Sequence, residues 1–353
     1  MITPKDMDKF TNNDIVYSYE ELNQELTRIV INRIKQSGDI SSFTRSQMSE
    51  LKRKGGNEVF KKALYKTNKL TKRQKKRIEK LYDEIGEKSL EGYEETFKTK
   101  QISDEVTPEL IAGLVVGINM SNKELNKINK KIVIGTKNKF INAVDEAYKD
   151  FRGGHVDYNT AVKNTVRKLA QEGITLKTKD GRQEQIDVAV KRRLGDIIHQ
   201  SINDVAKQIG EAIDYNCVEI GHSDKCRPSH HPIDAVIMSK EEFEKYEYLT
   251  EEYNCHHMVN FKWKEEFEDK RRKREYTDEH ESYAETVKNY KKQQKANYYA
   301  RQVRSKKDDI ASGDNSEDAK LKLRLAQKKY REYCLQNNLG IDYFKTWKAG
   351  YNK

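Results

Sequence analysis

Apolar residues return every three or four positions along most of this chain, the spacing that lines one face of an α-helix. Leu22, Leu26, Ile29, Val30 and Ile34 do so, predicting a helix over 18–36 that Gly38 is placed to end. A second helix is expected after a cap at Ser42 or Thr44, with Gly55-Gly56 as its stop. A third element, over 59–65, leads to a helix capped by Thr71 with Ile78, Leu81 and Ile85 inward. Thr107 and Pro108 mark another helix start, followed by the apolar segment LIAGLVVGI, which reads as the most buried text of the N-terminal half. A polar Asn/Lys-rich loop over 121–131 then precedes a helix over 137–150, which Gly153-Gly154 breaks. The next helix, over 158–173, turns Ala161, Val162, Val166, Leu169 and Ala170 inward.

After Gly173 the period changes from helical to alternating. ITLKT suits a half-buried strand, and Lys179-Asp180-Gly181-Arg182 a tight turn. Asp187 is placed to cap a long helix whose core stripe is Val190, Leu194, Ile197, Ile198, Ile202, Val205 and Ile209. Cys217-Val218-Glu219-Ile220 reads as a second strand. From Glu241 onward the text is charged and helical again, with helices over 282–307 and 317–337 joined by a linker at 312–315. The first of these carries Tyr283, Val287, Tyr290, Tyr298 and Val303.

The fold class expected is therefore mainly α, with a helical N-terminal region and long C-terminal helices around a small α+β module (strand, turn, helix, strand). The expected stretches are 1–105 (basic, helical), 106–172 (helical), 173–263 (α+β, with Cys/His clusters) and 264–353 (charged, helical).

Composition narrows the function classes. A net charge of +11 makes nucleic acid a natural partner, although a Lys/Asn/Ile/Tyr-rich chain also reflects an AT-rich genome. Twenty Tyr and ten Phe are too many for a solvated, disordered chain. Four cysteines in 353 residues make no disulfide scaffold. With no apolar run of membrane-spanning length and no secretory signal at the N-terminus, the expected setting is a reducing cytoplasm without membrane contact.

Between 61 and 77 there are nine Lys/Arg and no acid. Lys72, Arg73, Lys75, Lys76 and Arg77 are candidate phosphate contacts, as is the cluster Arg271, Arg272, Lys273 and Arg274. A solvated helix face explains the first run equally well.

Chemistry concentrates in two Cys/His groups. Cys226-x3-His230 and Cys255-x-His257 offer two sulfurs and two imidazoles, a donor set for tetrahedral zinc. Only the first pair has familiar zinc spacing. The other reading is a polar loop whose histidines hydrogen-bond backbone. A Cys/His nucleophile lacks a nameable third residue. A metal-dependent nuclease built on Cys226, His230, Cys255 and His257 lacks paired carboxylates at ligand spacing. KDGRQEQ and GGNEVF lack the Lys-Ser/Thr of a phosphate-binding loop, and no compact helix-turn-helix spacing supports a regulatory DNA-binding protein.

The order GITLKTKDGR, DVAVKRRLGDIIHQSINDVA, CVEIGHSDKCRPSH and NCHH resembles the phage minor capsid protein 2 family, head proteins of tailed bacteriophages similar to the Mu- and SPP1-type minor head proteins. The matching elements here are Gly181-Arg182, Ala189 to Arg193, Arg227-Pro228-Ser229-His230 and Asn254-Cys255-His256-His257. Two stretches depart from the family's text: HPIDAVI stands where Trp-Gln-Gly-Lys is expected, and His256 where an Arg is. Cys226 is also particular to this chain. The resemblance implies a structural, non-enzymatic virion component inside the head near the portal vertex, engaged in head morphogenesis. Its implied partners are the portal protein, the capsid and packaged DNA through non-specific phosphate contacts. It implies no organic cofactor, which leaves a structural zinc as the candidate metal.

Overall fold

A computed structural model describes residues 2, 4–11, 14–91, 106–154, 156–178, 181, 183–223, 226–252, 255, 257–268, 272–311 and 316–341. The chain runs through α1 (Pro4–Thr11), α2 (Asp14–Lys35), α3 (Arg45–Glu91), α4 (Val106–Arg152) and α5 (Tyr158–Glu172). A hairpin follows, β1 (Thr175–Lys177) and β2 (Gln183–Gln185), and leads into α6 (Ile186–Ala212). Then come β3 (Cys217–Ile220), a 3-10 turn (Pro228–Ile233), β4 (Val236–Ser239), the short α7 (Lys240–Phe243) and α8 (Glu247–Thr250), and β5 (Val259–Lys262). A second 3-10 turn (Glu265–Phe267), β6 (Arg274–Tyr276), α9 (Tyr283–Ala311) and α10 (Glu317–Gln336) complete the described chain. The fold is mainly α with a small α+β module, as the periodicity predicts. No described helix is long and apolar enough to cross a membrane.

Contacts group the chain into two compact units, each assembled from three separate stretches rather than one. The first comprises Met1–Asn13, Lys75–Glu124 and Lys191–Lys295. Its sheet is antiparallel in the order β5-β3-β4-β6. Because strand side chains alternate, Val218 and Ile220 of β3 share one face with Val236 and Met238 of β4. That face buries against Val205 and Ile209 of α6, with Ile233, Phe243 and Phe261 filling the rest. Cys217 and Ile237 point the other way and are closed over by Phe267. Gly210 is where α6 meets the sheet: a β-carbon there would stand 2.2 Å from Phe261 Cβ.

The second unit comprises Asp14–Gln74, Leu125–Val190 and Ala296–Lys353. Tyr19 of α2 is fully buried and donates to Asn129 Oδ1 of α4 (2.7 Å), whose amide donates to Thr71 Oγ1 of α3 (2.8 Å). Asn23 Oδ1 accepts from the backbone N–H of Ile174 at the mouth of the hairpin (2.8 Å). Ala296, Ala300 and Val303 of α9 pack on Tyr330 and Cys334 of α10.

Several expected boundaries shift, each for a physical reason. Thr44 is the cap of α3, sharing a reciprocal capping box with Gln47, but Gly55-Gly56 does not stop the helix. The pair is a site of close approach: a β-carbon on Gly55 would come 2.6 Å from the Phe140 ring of α4. Thr71 is not a cap either; it lies inside α3 and returns its hydroxyl to Thr67 O (2.9 Å). The Asn/Lys-rich stretch 121–131 is helix, not loop, because Leu125 and Ile128 continue the buried stripe to Ile132.

LIAGLVVGI is not a buried segment. Ile111, Val115 and Val116 are exposed, while Gly113 and Gly117 make the close contacts, with Val205 and with Tyr82. Asp187 falls in the first turn of α6 rather than at its cap, fully buried in an ion pair with Arg304 of α9. The stretch after Glu241 is not all helix, since β5 and β6 lie within it. The linker 312–315 and the aromatic C-terminal end lie outside the described residues.

Three substitutions in the second unit test these contacts by urea denaturation. Gly55→Ala is expected to cost about 1–3 kcal/mol through overpacking against Phe140. Gly56→Ala, with only ordinary 3.5 Å contact to Ile141, should gain about 0.5–1 kcal/mol. Equal losses at both would mean that the glycines do interrupt the helix. Asp187→Ala is expected to cost about 3–5 kcal/mol by leaving the Arg304 guanidinium unpaired; a loss under about 1 kcal/mol would show that water replaces the carboxylate.

Candidate metal centre

The side chains of Cys226, His230, Cys255 and His257 all belong to the first unit and lie in the irregular segments between β3 and β4 and ahead of β5. Their positions have local causes. Pro228 starts the 3-10 turn, and three residues per turn place His230 and Ile233 on one buried side. Cys255 follows a turn closed by its N–H on Glu252 O (2.9 Å), and His257 lies two residues further on, ahead of β5. His199 of α6 donates to the backbone carbonyl of His257 (2.7 Å) and fixes that segment against the helix.

Cys255 Sγ lies 3.7 Å from His230 Nδ1 and 3.6 Å from His257 Nδ1, and the two rings stack with centroids 5.5 Å apart. Each imidazole turns its other nitrogen to a carboxylate: His230 Nε2 to Glu252 (3.0 Å) and His257 Nε2 to Asp234 (2.9 Å). Asp234 is held in turn by His222 Nδ1 and by the Ser223 N–H, each at 2.9 Å. The Cys226 thiol reaches His257 as well. Two groups of three potential ligands result, His230/Cys255/His257 and Cys226/Asp234/His257, and they meet at His257.

The electrostatics follow from burial set against charge. Burial alone would raise the Cys255 thiol, but hydrogen bonds from His230 and His257 outweigh it and bring the pKa down to about 5. Burial would lower His257, yet its bonds to Asp234, Cys226 and Cys255 hold it well above the ordinary range. Asp234 is pulled below its usual value despite burial, by His222 and His257. Cys226 and Cys217 move the other way, pushed up by burial, Cys217 to about 11.

This arrangement can bind a soft divalent metal or hold a thiolate–imidazolium pair. It is closed to substrates: Cys226 is 5% exposed, His230 1%, Cys255 4% and His257 2%. Sequence spacing singles out these four residues, and the fold gathers His230, Cys255 and His257 in one group and sets Cys226 in a second that shares His257. It does not reveal Asp234, Glu252, His199 or His222, whose only textual hint is the density of polar residues around Pro228 and Pro232.

The basic residues are placed differently. Lys72, Arg73, Lys75 and Lys76 are exposed on α3 and make no ion pair among the described residues. Arg77 is half-buried. Arg272 pairs with Glu275 (3.1 Å), Lys273 is exposed, and Arg274 engages Glu242 and the Tyr246 ring. Arg271 lies outside the described residues.

No curated protein and no solved structure matches the chain. The family described as phage minor capsid protein 2 matches over residues 2–334, through both units and the whole Cys/His centre. The chain belongs to the phage minor capsid protein 2 family.

Proposed function

We propose that this chain is a low-copy component of a tailed-phage head, positioned near the portal vertex and active in head morphogenesis, with exposed basic residues against packaged DNA. The family match over residues 2–334 carries the reading. Enzymatic activity is not part of it, since the Cys/His cluster found among the described residues is buried.

The DNA contact rests on α3. Lys72, Lys75 and Lys76 are turn neighbours on one helix face with Arg73 beside them, while Gln74 and Ile78 bury the opposite face. Four cations with no acidic partner among the described residues suit a phosphate lattice and read no sequence. Lys273 is a further exposed cation of the second basic cluster, whereas Arg274 is occupied within the fold.

Mass spectrometry of purified particles should find this chain in low copy number beside the portal and major capsid proteins; mature particles lacking it would contradict a virion role. Replacing Lys72, Arg73, Lys75 and Lys76 with Gln should reduce the slope of log affinity against log salt on duplex DNA by about 3–4. An unchanged slope would remove α3 from the DNA contact.

A further inference from the structure

We propose that Cys226, His230, Cys255 and His257 bind a structural zinc ion that holds together the irregular half of the sheet-bearing unit. The inference does not depend on where the protein sits in a virion.

Geometry comes first. Sulfur and nitrogen ligands about 2.3 Å and 2.0–2.1 Å from one tetrahedral zinc stand about 3.6 Å from each other. Cys255 Sγ is 3.6 Å from His257 Nδ1 and 3.7 Å from His230 Nδ1, the sulfur–nitrogen separation a single ion imposes, and all three donors lie within 4.8 Å of one another.

The surroundings point the same way. A metal-bound imidazole ordinarily donates its remote N–H to a carboxylate, which selects the tautomer and aims the ring. Both histidines have that partner, Glu252 for His230 and Asp234 for His257. Cys226 shares its own group with Asp234 and His257, within 4.8 Å of a His257 nitrogen, and its thiol is the one that would swing in as fourth ligand. Two thiolates then neutralise the dication, and each thiol releases its proton to solvent on binding.

Chemistry selects zinc and a structural role. Two sulfurs and two imidazoles suit tetrahedral zinc better than oxygen-seeking magnesium or calcium. Burial leaves no open position for water or substrate, so all four sites belong to the protein. The ion would pin the β3–β4 connection to the segment before β5, neither of which is held by a strand pairing among the described residues.

The test uses the full chain. Protein from zinc-supplemented cells should carry one zinc per chain by plasma mass spectrometry. Stripping it with a chelator should lower the unfolding midpoint by on the order of 10 °C, reversed by zinc and not by magnesium. Cobalt substitution should give tetrahedral d–d bands and a sulfur charge-transfer band, which Cys226→Ser halves and Cys255→Ser with His230→Ala abolishes.

In case those variants fail to fold, wild-type protein carries an independent readout. Iodoacetamide should spare Cys226 and Cys255 while metal is bound and label both after chelation, with Cys217 and Cys334 protected throughout. Zinc below a tenth per chain, no cobalt spectrum and rapid labelling of Cys255 irrespective of chelator would overturn the proposal in favour of a metal-free thiolate–imidazolium pair. A full-strength charge-transfer band in Cys226→Ser would overturn Cys226 as the fourth ligand.

Discussion

Asp234 is the residue on which the sheet-bearing unit turns. Its carboxylate accepts from His222, His257 and the Ser223 N–H, while its backbone carbonyl accepts from His280 (2.8 Å). One buried side chain thereby fastens the end of β3, the approach to β5 and the lead-in to α9. The next residue, Ala235, adopts φ +52, a conformation costing a non-glycine residue about 1 kcal/mol, and its carbonyl takes both donors of Thr277. A buried carboxylate with fewer partners would be a liability; three donors turn it into the reference point from which His257 is aimed.

From that point outward the unit is built in two regimes. Beneath the sheet, Val205 and Ile209 of α6 meet alternate residues of β3 and β4 in an ordinary apolar core, closed at Gly210 by the ring of Phe261. Beyond the strand ends the core gives way to polar contacts among His199, His230, Glu252, Cys255 and His257. A protein in the phage minor capsid protein 2 family, bearing a third of its residues as charges, has little apolar surface to spend on such loops. Concentrated polar bonding stabilises them instead, and the proposed zinc would sit at its centre.

Much of this was legible in the text of the chain, and the failures share a cause. The stripe Val190 to Ile209, the Thr44 cap, the Gly154 break and the strand at Cys217 all follow from local spacing, and so does the pairing of the two Cys/His groups. Gly55-Gly56 misled because a glycine that ends a helix and one that admits a neighbouring ring look alike in sequence. LIAGLVVGI misled for the same reason: Gly113 and Gly117 face inward and the valines outward, the reverse of what hydropathy predicts. Polar residues between 121 and 131 hid a helix whose buried face is only Leu125, Ile128 and Ile132. Asp234, Glu252 and His222 could not be found at all, because a carboxylate's choice of histidine is made by the fold.

The most direct measurement is X-ray absorption at the zinc edge on the purified full chain. A metal-clamped unit predicts two sulfur neighbours at about 2.3 Å and two nitrogen neighbours at about 2.0 Å. A protein that is folded and shows no zinc edge, or whose zinc has only oxygen neighbours, would contradict it.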